Sequence, residues 1–259
     1  MEEPGALDDL ARARAAGVRA ARAPIVVFAE THSFPQPGWA DALLEAFDGS
    51  DRVAVGPAVV NANPGTLRSW VALFMDYGPW LEPIDEREDC DLPGHNSAFR
   101  RDTLLARGDG LAQALRSDML LASELRQTGH RVRLEPRART AHVNVTRPAS
   151  WPVERIGAGR VFAAARAASW PRRRRAAFAV AAPLIPLVRL PRVLADVRRT
   201  RPGGAPGPRV LPLLLAGLAL SALGEALGYA AGAGRSAATV EEMELHRLGH
   251  LRRAERGRW

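Results

Sequence analysis

The sequence predicts an α/β fold followed by a helical, apolar tail. Three observations carry this. A short continuous run, Ile25-Val-Val-Phe28, stops abruptly at the polar Glu30-Thr31-His32, the pattern of a strand buried on both faces. Helical-period stretches alternate with strand-like ones as far as Arg147. Beyond Trp151 the chain turns to apolar stretches broken by proline and separated by arginine clusters.

The elements follow in order. Ala6 to Arg22 is rich in Ala and Arg, and Leu7, Leu10, Ala13 and Val18 fall near one face of a helix. The Ile25–Phe28 strand comes next, and Pro35 and Pro37 forbid regular structure just after it. Trp39, Leu43 and Phe47 recur at helical spacing, so Trp39 to Phe47 is a helix packed on a sheet. Val53, Val55, Val59 and Val60 predict a second strand, interrupted at Gly56-Pro57. Leu67 to Tyr77 reads as a helix whose aromatic residues belong to the core. Glu82 to Asp91 is acidic and poor in apolar residues, which predicts a solvated, mobile loop. Leu92 to Asp102 contains Gly94, which permits close backbone approach, and leads into a short helix at Thr103 to Arg107. Leu111 to Gly129 reads as one amphipathic helix, striped by Leu111, Leu115, Leu121 and Leu125 and stopped by Gly129. Val132 and Leu134 alternate with arginines in a half-exposed strand that ends at Glu135-Pro136, and Ala138 to His142 is a closing strand.

In the tail, Arg172 to Arg175 is a basic cluster, and Ala176 to Leu194 is apolar but broken by Pro183, Pro186 and Pro191. A Pro/Gly linker, Arg201 to Pro208, precedes the apolar run Val210 to Leu223, and Thr239 to Trp259 reads as a charged helix. The apolar run is short for a full span, and crossing with Glu225 inside would be costly. This divides the chain into a first domain, 1–147, and a helical, membrane-associated region, 148–259.

Composition narrows the partners. Apolar residues make up 47% of 259 residues, enough for a folded core. The net charge is +8, yet the chain has no lysine, and its wealth of Arg, Ala, Gly and Pro reads partly as codon bias. No aromatic residues interleave with the basic clusters, so nucleic acid is not an expected partner. Cys90 is the single cysteine and allows no intrachain disulfide. The opening Met-Glu-Glu-Pro lacks the features of a signal peptide, so the first domain is expected to face the cytoplasm.

Glu30 and His32 lie at the carboxyl end of a buried strand, where α/β sheets bind ligands. Two residues apart on an extended chain, they point the same way and could share one divalent cation. A polar strand end followed by a loop is the alternative. His95 and Asn96 supply hydrogen-bonding groups beside Gly94, in what is otherwise a turn before a helix. Asp118 lies off the leucine stripe of its helix, and His142 ends the closing strand.

The run Ala13-Arg14-Ala-Ala-Gly17, the strand, Glu30-Thr31-His32 and Pro37-Gly38-Trp39 resembles the middle of a family 2 glycosyltransferase. That family typically reads Ala-Arg-Asn-x-Gly, a hydrophobic strand, Asp-x-Asp, then Pro-x-x-Trp. Ala15 and the Glu30-Thr31-His32 motif are departures from it. Gly94, Asn96, Ala98, Phe99, Arg100 and Arg101 match a further family pattern, Gly-x-Asn-x-Ala-Phe-Arg-Arg. Ser117-Asp118, Leu121, Leu125 and Gly129 fit the register of its Glu-Asp helix, with Ser117 in place of the first acid and Glu124 in place of the usual Arg.

The resemblance, which covers Ala13 to His142, implies an A-type glycosyltransferase sandwich. It implies transfer of a sugar from a nucleotide-sugar to an acceptor hydroxyl, with inversion. Glu30, His32 and His142 would approach a divalent cation, Mn²⁺ or Mg²⁺, with an imidazole plus a carboxylate suiting Mn²⁺ somewhat better. Asp118 would be the general base, and His95, Asn96 and Arg100 would position acceptor or phosphates. Envelope or surface glycan synthesis on the cytoplasmic face of a membrane is the expected setting, with a lipid-linked or glycan acceptor. A degenerate, non-catalytic binding protein is the alternative. The family opens with a strand, a helix and a strand that hold the nucleotide. Nothing before Ala13 matches them, so the chain is expected to be the later portion of a longer enzyme.

Overall fold

The computed structural model describes residues 6–115, 118–200 and 206–257. It divides into two compact units: Met1–Val60 with Trp80–His142, and Asn61–Pro79 with Val143–Trp259.

The first unit is a mixed α/β body. Its six-stranded sheet comprises β1 (Ile25–Val27), β2 (Ser33–Pro35), β3 (Ala54–Asn61), β4 (Arg87–Glu88), β5 (Ala98–Arg100) and β6 (Val132–His142). The order is β1-β5-β3-β6-β2, with β4 also on β6. Around it lie α1 (Ala6–Ala20), α2 (Trp39–Phe47), α4 (Arg101–Leu105), α5 (Leu111–Ala114) and α6 (Asp118–Gln127). Among the described residues β1 pairs with a strand on one side only, β5.

The periodicity that marks α2 is what buries it. Ala42, Leu43, Ala46 and Phe47 pack with Val55, Ala98 and Ala138 of the sheet. Glycine is needed at 56 because a Cβ there would meet Pro93 Cδ at 2.8 Å, and the strand runs on through Gly56-Pro57 instead of stopping.

Other boundaries differ from expectation. Ser33–Pro35 is a strand, although Pro35 is expected to forbid regular structure there; β2 lies at the end of the strand order, where a proline is tolerated. β6 is one strand through Pro136. Pro136 lies between the residues that pair with β4 and those that pair with β2, so its missing N–H costs no ladder bond to either. The helix expected over 111–129 is two, α5 and α6, though Leu111, Leu115, Leu121 and Leu125 are all buried and Gly129 takes the left-handed conformation of a stop, φ 88°.

The acidic stretch 82–91 is not a free loop. It contributes β4, and its acids meet arginines: Glu86 and Arg133 at 2.5 Å, Glu88 and Arg52 at 2.7 Å, Glu82 and Arg139 at 2.6 Å. No composition signal reveals this, because the arginines lie far away in sequence.

The second unit is helical, with α3 (Leu67–Tyr77), α7 (Ser150–Arg166), α8 (Arg172–Ala181), α9 (Ile185–Thr200), α10 (Leu211–Ala231), α11 (Ser236–Leu245) and α12 (Arg253–Arg256). The expected charged helix at the end is therefore broken into short pieces. Two stretches, Arg172–Thr200 and Gly207–Ala231, are long and apolar enough to cross a membrane by length and composition.

Candidate functional site

The end of β1 is built by three segments of the first unit. Asn96 donates its backbone N–H to Phe28 O at 3.0 Å, which draws the 94–97 turn against the strand end. Asn96 holds φ 58°, a left-handed conformation that Asn tolerates better than most residues. Its side chain is buried and donates to Ser33 Oγ at 2.5 Å. Antiparallel pairing of β2 with β6 sets Ser33 opposite His142, and this register brings His32 to His142 across 110 residues of sequence.

Glu30 sits at the centre. Its side chain is 10% exposed, His32 is 2% exposed and His142 is 5% exposed. His95 Nδ1 lies 2.6 Å from Glu30 Oε1. The other oxygen, Oε2, lies 3.5 Å from His32 Nε2 and 3.7 Å from His142 Nε2. It is buried and, among the described residues, accepts no hydrogen bond. The His32 and His142 rings meet edge to face, 4.9 Å between centroids. Burial would raise the Glu30 carboxyl, but the facing imidazoles, His95 foremost, outweigh it and hold the group below the ordinary carboxylate range.

This donor set suits a divalent cation. One atom each from Glu30, His32 and His142 lies within 4.8 Å of the others. Ligand atoms at about 2.1 Å from one ion stand at most about 4.2 Å apart, so a small side-chain movement would close the set. The buried Oε2 without a hydrogen bond is the atom such an ion would satisfy.

The structure thus brings together Glu30, His32, His95, Asn96 and His142. It leaves Arg100 elsewhere. Arg100 Nε donates to Arg52 O at 2.7 Å, and Nη2 donates to Ser50 O at 2.8 Å and Phe47 O at 3.1 Å. Its guanidinium also lies over the Phe47 ring. These contacts cap the end of α2 and brace it against the sheet. Asp118 opens α6, and its side chain lies outside the described residues. The Glu30–His95 contact was not foreseen; the two are 65 positions apart, and the only signal is the small, turn-forming neighbourhood of Gly94.

Residues 5–106 match the family model described as Glycosyl transferase family 2. No curated protein and no solved structure gives a match. The chain carries a glycosyl transferase family 2 region, which supports its assignment to that family. This region includes Glu30, His32, His95, Asn96 and Arg100, and it ends before Asp118 and His142.

Proposed function

We propose that this chain is a glycosyltransferase that moves a sugar from a nucleotide-sugar to an acceptor hydroxyl with inversion at the anomeric carbon. The observation that carries the reading is the Glu30–His32–His142 cluster at a strand end inside or beside the family region. A divalent cation held there, Mn²⁺ or Mg²⁺, would neutralise charge on the departing diphosphate.

The remaining steps belong to the chain's own residues. His95 and Asn96 line the strand end and would position the acceptor or the phosphates. Asp118 would take the acceptor proton as the acceptor oxygen bonds to the anomeric carbon and the bond to the diphosphate oxygen breaks. Arg100 enters as a brace of the acceptor half, because carbonyl groups already engage its donors. The apolar helical unit would hold the enzyme on the cytoplasmic face of a membrane, where lipid-linked or growing envelope glycans offer acceptors.

A panel of nucleotide-sugars, screened for release of nucleoside diphosphate with and without Mn²⁺, tests this. One donor is expected to be consumed in a Mn²⁺-dependent way, and Asp118→Asn should slow turnover by about 10²–10⁴-fold with nucleotide binding intact. The departures at Thr31, His32 and Ser117 favour a second reading, a non-catalytic binding protein. Under it, a nucleoside diphosphate would bind and no donor would be consumed.

A further inference from the structure

The helical unit exposes an apolar surface that its own fold leaves uncovered. Val180 is 81% exposed, Leu187 68%, Val188 63% and Leu184 57%. All four lie at or beside the break between α8 and α9, where Pro183 and Pro186 interrupt regular helix. Pro183 and Pro186 also line an apolar cavity of about 290 Å³ with Ala219, Ala222, Leu223 and Ala226 of α10, and Leu223 is itself half exposed.

Cations rim this surface. Arg172, Arg173 and Arg174 are exposed at one end, and Arg192 and Arg198 are exposed beyond the other. No acid occurs from Arg172 through Ala195. At the first rim Arg174 stacks 3.9 Å from the Trp170 ring centroid, an aromatic and arginine pairing suited to a membrane–water boundary.

The same features argue against a crossing. Between Arg175 and Arg189 the uncharged stretch is Ala176 to Val188, about 20 Å of helix, whereas a hydrocarbon core is about 30 Å thick. On α10 the uncharged stretch ends at Glu225, which is 2% exposed and pairs with Arg189 at 2.7 Å. The opposite side of α10 is pressed onto α7, a helix whose buried Arg155 makes two 2.8 Å bonds to Asp76. A helix with that charge on its inner face belongs outside hydrocarbon.

We infer that the α8–α9 segment is a monotopic docking surface for anionic lipid: Val180, Leu184, Leu187 and Val188 enter the acyl boundary while the flanking arginines meet the headgroups, and no helix crosses. This deepens the membrane placement in the reading above and needs no sugar chemistry. Insertion would follow buried apolar area, and headgroup attraction would follow the arginine count.

Flotation of the full chain tests it, with vesicles of phosphatidylcholine alone and of phosphatidylcholine mixed with phosphatidylglycerol. The wild type should float with the mixed vesicles, bind the neutral ones at least about tenfold more weakly, and be released by alkaline carbonate. Val180→Asp/Leu187→Asp should lower partitioning by at least about a hundredfold, with an unchanged melting temperature because both sites are exposed. Arg172→Ser/Arg173→Ser/Arg174→Ser should erase the preference for anionic lipid. Wild-type protein that ignores both vesicles, an aspartate variant that floats as well as wild type, or retention after carbonate would each overturn the proposal. A vesicle-binding chain that consumes no nucleotide-sugar would count against the enzymatic reading alone.

Discussion

Glu30 has two oxygens with different company, and that difference is the core of the site. Oε1 is held by His95 at 2.6 Å, which leaves Oε2 aimed between His32 and His142. If Glu30, His32 and His142 share a cation as proposed, His95 would also orient the Glu30 carboxylate toward it. We expect His95→Ala to weaken Mn²⁺ binding about 10–100-fold, measured by calorimetry, with secondary structure unchanged. Glu135 offers a separate test. It is 1% exposed and bridges Arg133 and Arg137, each at 2.9 Å. Burial would raise its carboxyl, but the hydrogen bonds and charge of Arg137 and the charge of Arg133 hold it below the ordinary value. Its stabilisation is thus present above the ordinary carboxylate value and is lost as pH falls through the lowered folded-state value. Glu135→Ala should cost about 1–3 kcal/mol at neutral pH, since Arg137 is solvent-exposed and only Arg133 is left poorly paired, and the gap to wild type in chemical denaturation should shrink in acid. Residues in local patterns were legible: the Glu30–His32 pair, Asn96 and His142 could all be picked from strand ends and motif spacing. Pairings across the sheet, such as Glu30 with His95 or Glu82 with Arg139, were not, since nothing local encodes which distant cation an acid will meet.

At the scale of elements, periodicity gave α2 with its observed bounds, because α2 buries one face, Ala42, Leu43, Ala46 and Phe47; α3 also keeps its expected bounds, with Val71 to Phe74 buried in succession. Breakers misled where their context was tertiary. Pro136 sits in a strand at a place without a ladder partner on β4 or β2, and Gly56 makes room for the Pro93 and Leu92 side chains rather than making a turn. The α7–α10 contact was hidden for a related reason, since small residues carry little hydrophobic signal. Gly224 and Gly228 lie against the backbone carbonyls of Ile156 and Arg160, and Gly159 against that of Ser221, each too close for a Cβ. Here the obstacle is backbone, which cannot rotate away. Gly224→Val should force α10 off α7 and cost about 1–3 kcal/mol or more, read as a melting temperature lower by about 2–4 °C for each kcal/mol. A variant that melts with wild type would show that the helices meet elsewhere.

For the whole molecule, two units carry two kinds of chemistry. One holds most of the family region and a carboxylate ringed by imidazoles; the other presents an apolar, arginine-rimmed surface. The change in composition near Trp151 made the second kind visible in sequence, although α3 clusters with the later residues, which no composition window shows. The central claim is that Glu30, His32 and His142 support a nucleotide diphosphate through a shared cation. Its most direct test is nucleoside diphosphate binding to the full chain, titrated with and without Mn²⁺, for wild type and for Glu30→Ala/His32→Ala. The account predicts binding that needs Mn²⁺ in wild type and is weakened at least about tenfold in the variant. Equal binding by both proteins with Mn²⁺ present, or wild-type binding indifferent to the ion, would contradict it.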